Sequence, residues 1–97
     1  MASNFRISAH RNSDNLHLKL TGDFDGSSAL QLVNVLKKNA NNGVYQIIIH
    51  TNCLNKIYPF GRDTFLKNLQ ELNGKTGLLR FTGEKATQIA PEKRLCL

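Results

Sequence analysis

Two pairs of residues in this chain have side chain types and a spacing that could support chemistry. His50 and Cys53 lie three positions apart, a spacing that is used by metal ligands and would also suit a cysteine nucleophile assisted by a histidine. Two ligands do not complete a metal site, and the sequence shows no third group that would orient a nucleophilic pair. We therefore interpret His50 as a loop histidine and Cys53 as a partly buried thiol.

Asp23 and Asp25 are the second pair, two neighbouring carboxylates of the kind used in acid–base catalysis. Asp25 precedes a segment of helical periodicity, where a carboxylate accepts hydrogen bonds from first-turn amides, and Ser27 is a second candidate for this N-cap role. Asp23 is expected at a strand end beside solvent. The sequence contains neither a Gly-x-Gly-x-x-Gly nor a Walker phosphate motif. We expect no catalytic residue, no metal and no cofactor, so the chain is predicted not to be an enzyme.

The length, composition and charge restrict the class of protein further. Ninety-seven residues, 40% hydrophobic and 21% charged, predict a single globular domain over residues 1–97. The sequence has no apolar run of transmembrane length, no signal-peptide pattern and too few cysteines for a disulfide framework. We therefore expect a cytoplasmic protein without a membrane partner. The net charge of +6 suits nucleic acid or acidic partners, but it is also typical of a solvated basic surface.

The spacing of apolar residues predicts the elements that position these side chains. Polarity alternates with a period of two in the first segments, which a cluster of turn residues separates, and this favours an antiparallel hairpin. Later segments have helical spacing or short buried runs. The predicted order is a strand over 4–11, a strand over 16–21, a helix over 29–40, a strand at 47–49, a polar loop over 50–56, a helix over 60–72, a strand over 78–81, a helix over 84–90 and a last strand at 95–97.

Helices that alternate with strands favour a parallel sheet with right-handed crossovers. The predicted fold is α/β, with a small, mostly parallel sheet, an N-terminal β-hairpin and crossover helices packed mainly on one face. The core is expected to combine the apolar positions of strands and helices: Leu18, Leu20, Leu32, Val33, Leu36, Ile47, Ile49, Phe65, Leu69 and Leu79.

Two segments resemble the STAS domain, the family of bacterial anti-sigma-factor antagonists and of the cytoplasmic tails of sulfate transporters. The strand that ends in Gly-Asp-Phe-Asp (22–25), directly before a helix, is similar to the family's strand ending in Gly-acidic-apolar-Asp. Residues 47–61 resemble the family's buried strand, short loop and Asp-Ser-x-Gly motif at the second helix. The resemblance covers residues 5–97. It implies a non-enzymatic protein-interaction module in bacterial regulation, with a protein partner such as an anti-sigma factor or a kinase-like regulator.

The chain departs from the family pattern at the phosphorylation motif. His50 stands where the family's buried strand ends in Asp, and Tyr58 and Pro59 stand where the family has Asp-Ser, whereas Gly61 matches the family's Gly. In the antagonist branch a partner kinase phosphorylates that serine, and the added charge switches binding off. Because proline has no hydroxyl, the resemblance implies that this switch is absent. Three nearby hydroxyls are candidates for a displaced site: Ser27, Ser28 and Thr64.

The end of the sequence is a second departure from the family. No segment before Leu97 matches the family's last helix. We therefore expect the final strand to be poorly covered or to be covered by another chain. The sequence leaves the oligomeric state open, and a homodimer is among the alternatives.

The partner-binding surface is predicted to combine the start of the second helix with the turn before the first. Phe60 falls opposite the apolar face of its helix and is a candidate anchor, since interface cores favour aromatics, and burial under the loop is the alternative. The predicted partner-binding residues are Asp23, Asp25, Ser27, Ser28, Tyr58, Pro59, Phe60, Gly61, Arg62, Thr64 and Lys67. The alternative function is a small basic nucleic-acid-binding domain that uses Lys56, Arg62 and Lys67.

Overall fold

The computed structural model describes residues 4–72 and 74–97, which contain a four-stranded sheet of order β1-β2-β3-β4. The pair β1–β2 is antiparallel, and the pairs β2–β3 and β3–β4 are parallel. This confirms the predicted α/β fold with an N-terminal hairpin. The elements are β1 (Arg6–Asn12), β2 (Asn15–Phe24), α1 (Gly26–Ala40), β3 (Gln46–Ile57), α2 (Pro59–Asn68), β4 (Leu79–Thr82) and α3 (Ala86–Ile89), with 3-10 helices at Leu69–Leu72, Lys75–Leu78 and Lys93–Leu95.

One face of the sheet packs against the helices and forms the core. Leu18 and Ile49 are paired across β2 and β3, and both belong to the same buried cluster as Leu32 of α1 and Phe65 of α2. Ile48, between two core residues of β3, is not part of this cluster because successive side chains of a strand point to opposite faces. Every residue predicted for the core is buried.

Four phenylalanines form a continuous row through this core. Phe24 contacts Phe5 and Phe65 with ring centroids 5.8 Å apart in both pairs, and Phe65 contacts Phe81 at 6.2 Å. All three pairs are edge-to-face, the arrangement that the ring quadrupoles favour. The row joins the end of β2, the middle of α2 and β4, so it fixes α2 against the carboxyl ends of the strands.

The polar loop predicted over 50–56 is wrong, because β3 continues through it to Ile57. The reason is that β2 extends to Phe24 and pairs with β3 along its whole length, with irregular register after Lys19 and again after Gly22. Thr51 and Leu54 are buried, and the Thr51 hydroxyl donates to the Thr82 carbonyl oxygen at 2.9 Å. The polar composition of this segment therefore did not indicate that it belongs to a long central strand, which pairs with β2 on one side and β4 on the other.

The C-terminal segment differs in detail from its prediction. The helix predicted over 84–90 is shorter, Ala86–Ile89, and the last strand is reduced to one parallel bridge between Phe81 and Cys96. Leu95 is buried in the core, whereas Leu97 is exposed. None of the helices in the part of the chain that the structure describes is long and apolar enough to cross a membrane.

Candidate partner-binding surface

The starts of α1 and α2 lie side by side at the carboxyl ends of β2 and β3. The Tyr58 amide donates to the Phe24 carbonyl oxygen at 3.0 Å, which joins the end of β3 to the end of β2. Gly61 packs directly on the β2–α1 junction: a Cβ at Gly61 would lie 2.6 Å from the Phe24 oxygen and 2.7 Å from the Asp25 carbonyl carbon. Only glycine permits this approach. The residues 23–28 and 58–67 are called the helix-start surface below.

Asp25 caps α1, which confirms the first of its two N-cap candidates. Its carboxylate accepts a hydrogen bond from the Ser28 amide at 2.9 Å, and the Ser28 hydroxyl lies 2.9 Å from the same oxygen. These two interactions, the amide first, hold the pKa of the Asp25 carboxyl below its ordinary value. The Asp25 side chain therefore organises the start of α1 as a charged cap.

Ser28 does not offer its hydroxyl to a partner, which corrects its predicted role as a surface contact. The residue is fully buried, and its hydroxyl lies 2.9 Å from the Asp23 carbonyl oxygen as well as from the Asp25 carboxylate. A buried hydroxyl needs such acceptors, so the side chain supports the turn from inside. Ser27, the second residue of α1, is exposed beside it.

Phe60 is the most exposed aromatic side chain of the helix-start surface, at 74%. Its ring lies over Gly26, where an added Cβ would come within 2.8 Å of a ring carbon, and Tyr58 is also exposed, at 42%. Phe60 lines an open groove of about 470 Å³ together with polar side chains of α2: Asp63, Thr64, Lys67 and Asn68. The surface therefore presents an apolar anchor with a polar rim, which is the composition of a protein interface.

The charged and hydroxyl side chains of α2 are partly engaged within the helix. Arg62 and Asp63 lie 3.8 Å apart, both largely exposed, and the Thr64 hydroxyl donates to the Phe60 carbonyl oxygen at 2.7 Å. Pro59 occupies the first helical position, where its missing amide would have no partner in any case. The three residues of the nucleic-acid alternative do not form a basic patch free of acidic neighbours, because Asp63 lies beside Arg62.

The sequence did not reveal a histidine pair on the opposite face of the sheet. His17 Nδ1 and His50 Nε2 lie 2.9 Å apart, and burial followed by the nearby His17 lowers the pKa of the His50 imidazole. The sequence predicts a loop at His50, and a loop residue has no register with β2. Alternation along the strands is the sequence signal that indicates the pair, because it places His17 and His50 on the polar side of β2 and β3. Cys53 is exposed, not partly buried. Within residues 4–72 and 74–97, no three metal-ligating side chains are grouped to hold an ion.

The sequence matches no known protein-family model and no curated protein. Solved structures are similar to it in fold. The phosphorylated form of the Bacillus cell fate determinant SpoIIAA has a TM-score of 0.64 and 16% identity, covering 96% of this chain and 88% of that one. An antisigma-factor antagonist STAS domain from Rhodobacter sphaeroides has a TM-score of 0.62 and 9% identity, with 91% and 92% covered.

An anti-sigma factor antagonist from Mycobacterium paratuberculosis has a TM-score of 0.65 and 13% identity, covering 88% of this chain and 73% of that one. Identities this low establish the fold and leave residue roles to be argued from the site itself. The agreement extends along both chains in each comparison. The resemblance found in the sequence is confirmed at the level of architecture: the chain has the STAS-like fold of the anti-sigma factor antagonists.

Proposed function

We propose that this chain is a non-enzymatic protein-interaction module that acts in bacterial regulation in the cytoplasm. The observation that carries the proposal is Phe60, which lies 74% exposed on a backbone framework fixed by Gly61 and by the Tyr58–Phe24 hydrogen bond. A large exposed aromatic on a rigid support loses little entropy on binding, so it is suited to anchor a partner. The similarity in fold to anti-sigma factor antagonists supports a regulatory protein as the partner.

The partner would contact residues of both helix starts. Phe60 and Tyr58 supply apolar area, and the rim of Asp63, Thr64 and Lys67 supplies polar contacts. Asp23 and Gly61 shape the surface through their backbone, and Asp25 shapes it through the side chain that caps α1. Ser27 is exposed beside them and is available for a direct hydrogen bond.

Binding is proposed to be constitutive, without control by a kinase at the start of α2. Pro59 has no hydroxyl, Ser28 is buried, and the Thr64 hydroxyl is bonded to the Phe60 carbonyl. Ser27 is the accessible hydroxyl of the first turn of α1, where the helix dipole would stabilise a phosphate. Intact mass of protein from its own cells tests this: we expect the unmodified mass alone. A stoichiometric gain of about 80 Da with altered partner affinity would contradict constitutive binding.

The interaction surface is tested by quantitative capture from the native cytoplasm with the purified wild-type chain and two variants. Phe60→Ala should lose the captured protein, whereas Tyr45→Ala should retain it. Tyr45 is a matched control because it is 71% exposed but lies before β3, at the other end of the strand from Phe60. Equal capture by both variants would remove Phe60 from the binding surface.

A further inference from the structure

The sheet has a second face that the helices do not cover. Ile48 is outside the core cluster, and its strand neighbours on the same face are polar. The pairing of the strands places the side chains of this face in rows, beginning with Asn12, Asn15 and Gln46 beside the hairpin turn and continuing in three rows beyond it. The open-face rows are His10, His17, Ile48 and Arg80, then Ser8, Lys19, His50 and Thr82, then Arg6, Thr21 and Cys53.

The open-face rows carry positive and titratable groups and contain no Asp or Glu. Lys19 is exposed in the middle row, and Arg6 is exposed in the last. The Arg80 guanidinium lies at the β4 side, where it donates to the Gly77 and Leu79 carbonyl oxygens at 2.8 Å and 2.7 Å. Along β1 and β2 the nearest acidic residues are Asp14, in the hairpin turn, and Asp23, two positions beyond Thr21. The centre of this face therefore attracts anions.

His17 and His50 lie at the centre of the rows and are hydrogen-bonded to each other. Their rings are inclined by only 18°, with centroids 5.2 Å apart and the facing nitrogens 2.9 Å apart. The centroid separation exceeds the nitrogen separation by about the width of an imidazole ring, so the nitrogens face each other edge to edge. In such a contact one ring nitrogen donates its proton to the lone pair of the other. That lone pair is then not free to bind a metal, and the two rings leave no room for an ion between them.

The groups around the pair do not stabilise its protonated form. The groups that face it are His10 from β1, Lys19 from β2, Cys53 from β3 and Arg80 from β4, and none of them is a carboxylate. One added proton can be shared in the hydrogen bond, but a second would place two imidazolium ions side by side next to Lys19. A bound carboxylate would offset the repulsion between these positive charges. Binding of a carboxylate and protonation of the pair therefore favour each other.

We propose that the open-face rows are a second binding surface for an acidic segment of a partner protein, and that protonation of the His17–His50 pair strengthens this binding. Carboxylates complement the lysine, the arginines and the imidazolium donors. Single-stranded nucleic acid is usually held by stacking on large aromatic side chains as well as by charge, and these rows contain no Phe, Tyr or Trp, which favours a peptide. The surface is on the opposite face from the core and from α2, so the proposal stands independently of the function proposed for Phe60.

The test is fluorescence anisotropy with a labelled polyglutamate peptide and a polyglutamine peptide of equal length, using the full chain at low ionic strength. We expect the polyglutamate peptide to bind at least about fivefold more tightly near pH 5.5 than near pH 7.5, because each exposed ion pair gained is worth up to about that factor. The polyglutamine peptide should not bind at either pH. Equal polyglutamate affinity at both pH values would overturn the proposal.

Substitutions locate the effect on this face. The double substitution His17→Gln and His50→Gln should remove most of the pH dependence, since only His10 of these rows remains, and Lys19→Gln should weaken binding at both pH values. Lys38→Gln removes the same charge from an exposed position on α1 and should leave binding unchanged. A pH dependence in the histidine variant as large as that of the wild type, or equal losses in Lys19→Gln and Lys38→Gln, would assign the binding to general surface charge and contradict the proposal.

A measurement on the unaltered chain avoids any effect of the substitutions on folding. Polyglutamate should raise the pKa of the histidine pair, followed by NMR of the imidazole protons, by about 0.7 for a fivefold coupling because linkage is reciprocal. An unchanged titration in the presence of bound peptide would refute the role of the pair. Tighter binding of a single-stranded oligonucleotide of equal charge would replace the acidic protein segment with nucleic acid as the ligand.

Discussion

Gly61→Ala is predicted to destabilise the protein by opening the contact between α2 and the β2–α1 junction. The added Cβ would lie 2.6 Å from the Phe24 carbonyl oxygen and within 2.8 Å of the Asp25 carbonyl group. These are backbone atoms at the base of the helix-start surface, and they cannot rotate away as a flexible side chain would. Relieving the contact requires the start of α2 to move away from the end of β2.

The size of the effect follows from two opposing contributions. Overpacking against backbone costs about 2–3 kcal/mol, toward the upper part of the usual range, while alanine gains up to about 1 kcal/mol over glycine in a helix. The net loss should be about 1–2 kcal/mol. In a domain of this length each kcal/mol lowers the melting temperature by about 4–8 °C. Urea denaturation, with the melting temperature as a second readout, measures the loss.

Gly77→Ala is the matched control for this experiment. A Cβ at Gly77 meets no atom within 4 Å, so the substitution should leave the unfolding free energy within about 0.5 kcal/mol of wild type. The difference between the two alanine variants then isolates the close approach at Gly61. If Gly61→Ala is as stable as Gly77→Ala, the packing of α2 on the β2–α1 junction is not what holds the helix-start surface in place.

Four other substitutions test the core, the cap and the histidine pair. Leu69→Ala should cost about 2–5 kcal/mol in urea denaturation, since Leu69 is a buried core leucine, and a loss below about 1 kcal/mol would show that its helix face is misassigned. Asp25→Ala should cost about 0.5–2 kcal/mol by removing the cap on the Ser28 amide, whereas Asp25→Asn should recover most of this loss. The lowered pKa of His50 means that the unfolded chain binds the proton more readily. Stability should therefore be complete above about pH 6.5 and decline as the pH falls below it, and His50→Gln should flatten that decline in urea titrations.

The sequence predicted the architecture because the apolar periodicities are strong and local. The alternation of Leu16, Leu18 and Leu20 identified β2, and the helical spacing of Leu32, Val33 and Leu36 identified α1. The extent of β3 could not be predicted in the same way. Its second half is polar on the exposed side, and it is held in the sheet by pairing with β2 across two register irregularities, which only the folded chain defines.

Only the part of the candidate site that depends on neighbouring residues could be predicted from the sequence. The N-cap role of Asp25 depends on a few adjacent residues, and so it could be read from the sequence. The burial of Ser28 and the exposure of Phe60 depend on how the starts of two helices pack. These helix starts are far apart in the sequence, so local patterns do not predict their packing. The contact between His17 and His50 depends on strand register across thirty-three positions, and local alternation gives the polar side of a strand but not that register.

Site-directed photo-crosslinking from position 60 tests the central claim most directly. A benzoylphenylalanine replacing Phe60 keeps the aromatic character of the position, and the same group replacing Tyr45 provides an equally exposed control at the other end of β3. In cells of the native host, the chain labelled at position 60 should form one dominant crosslink to another protein, with or without phosphorylation, and the chain labelled at position 45 should not. Crosslinking from position 45 alone, or no protein crosslink from position 60, would contradict the proposal that the helix-start surface is where this module binds its partner.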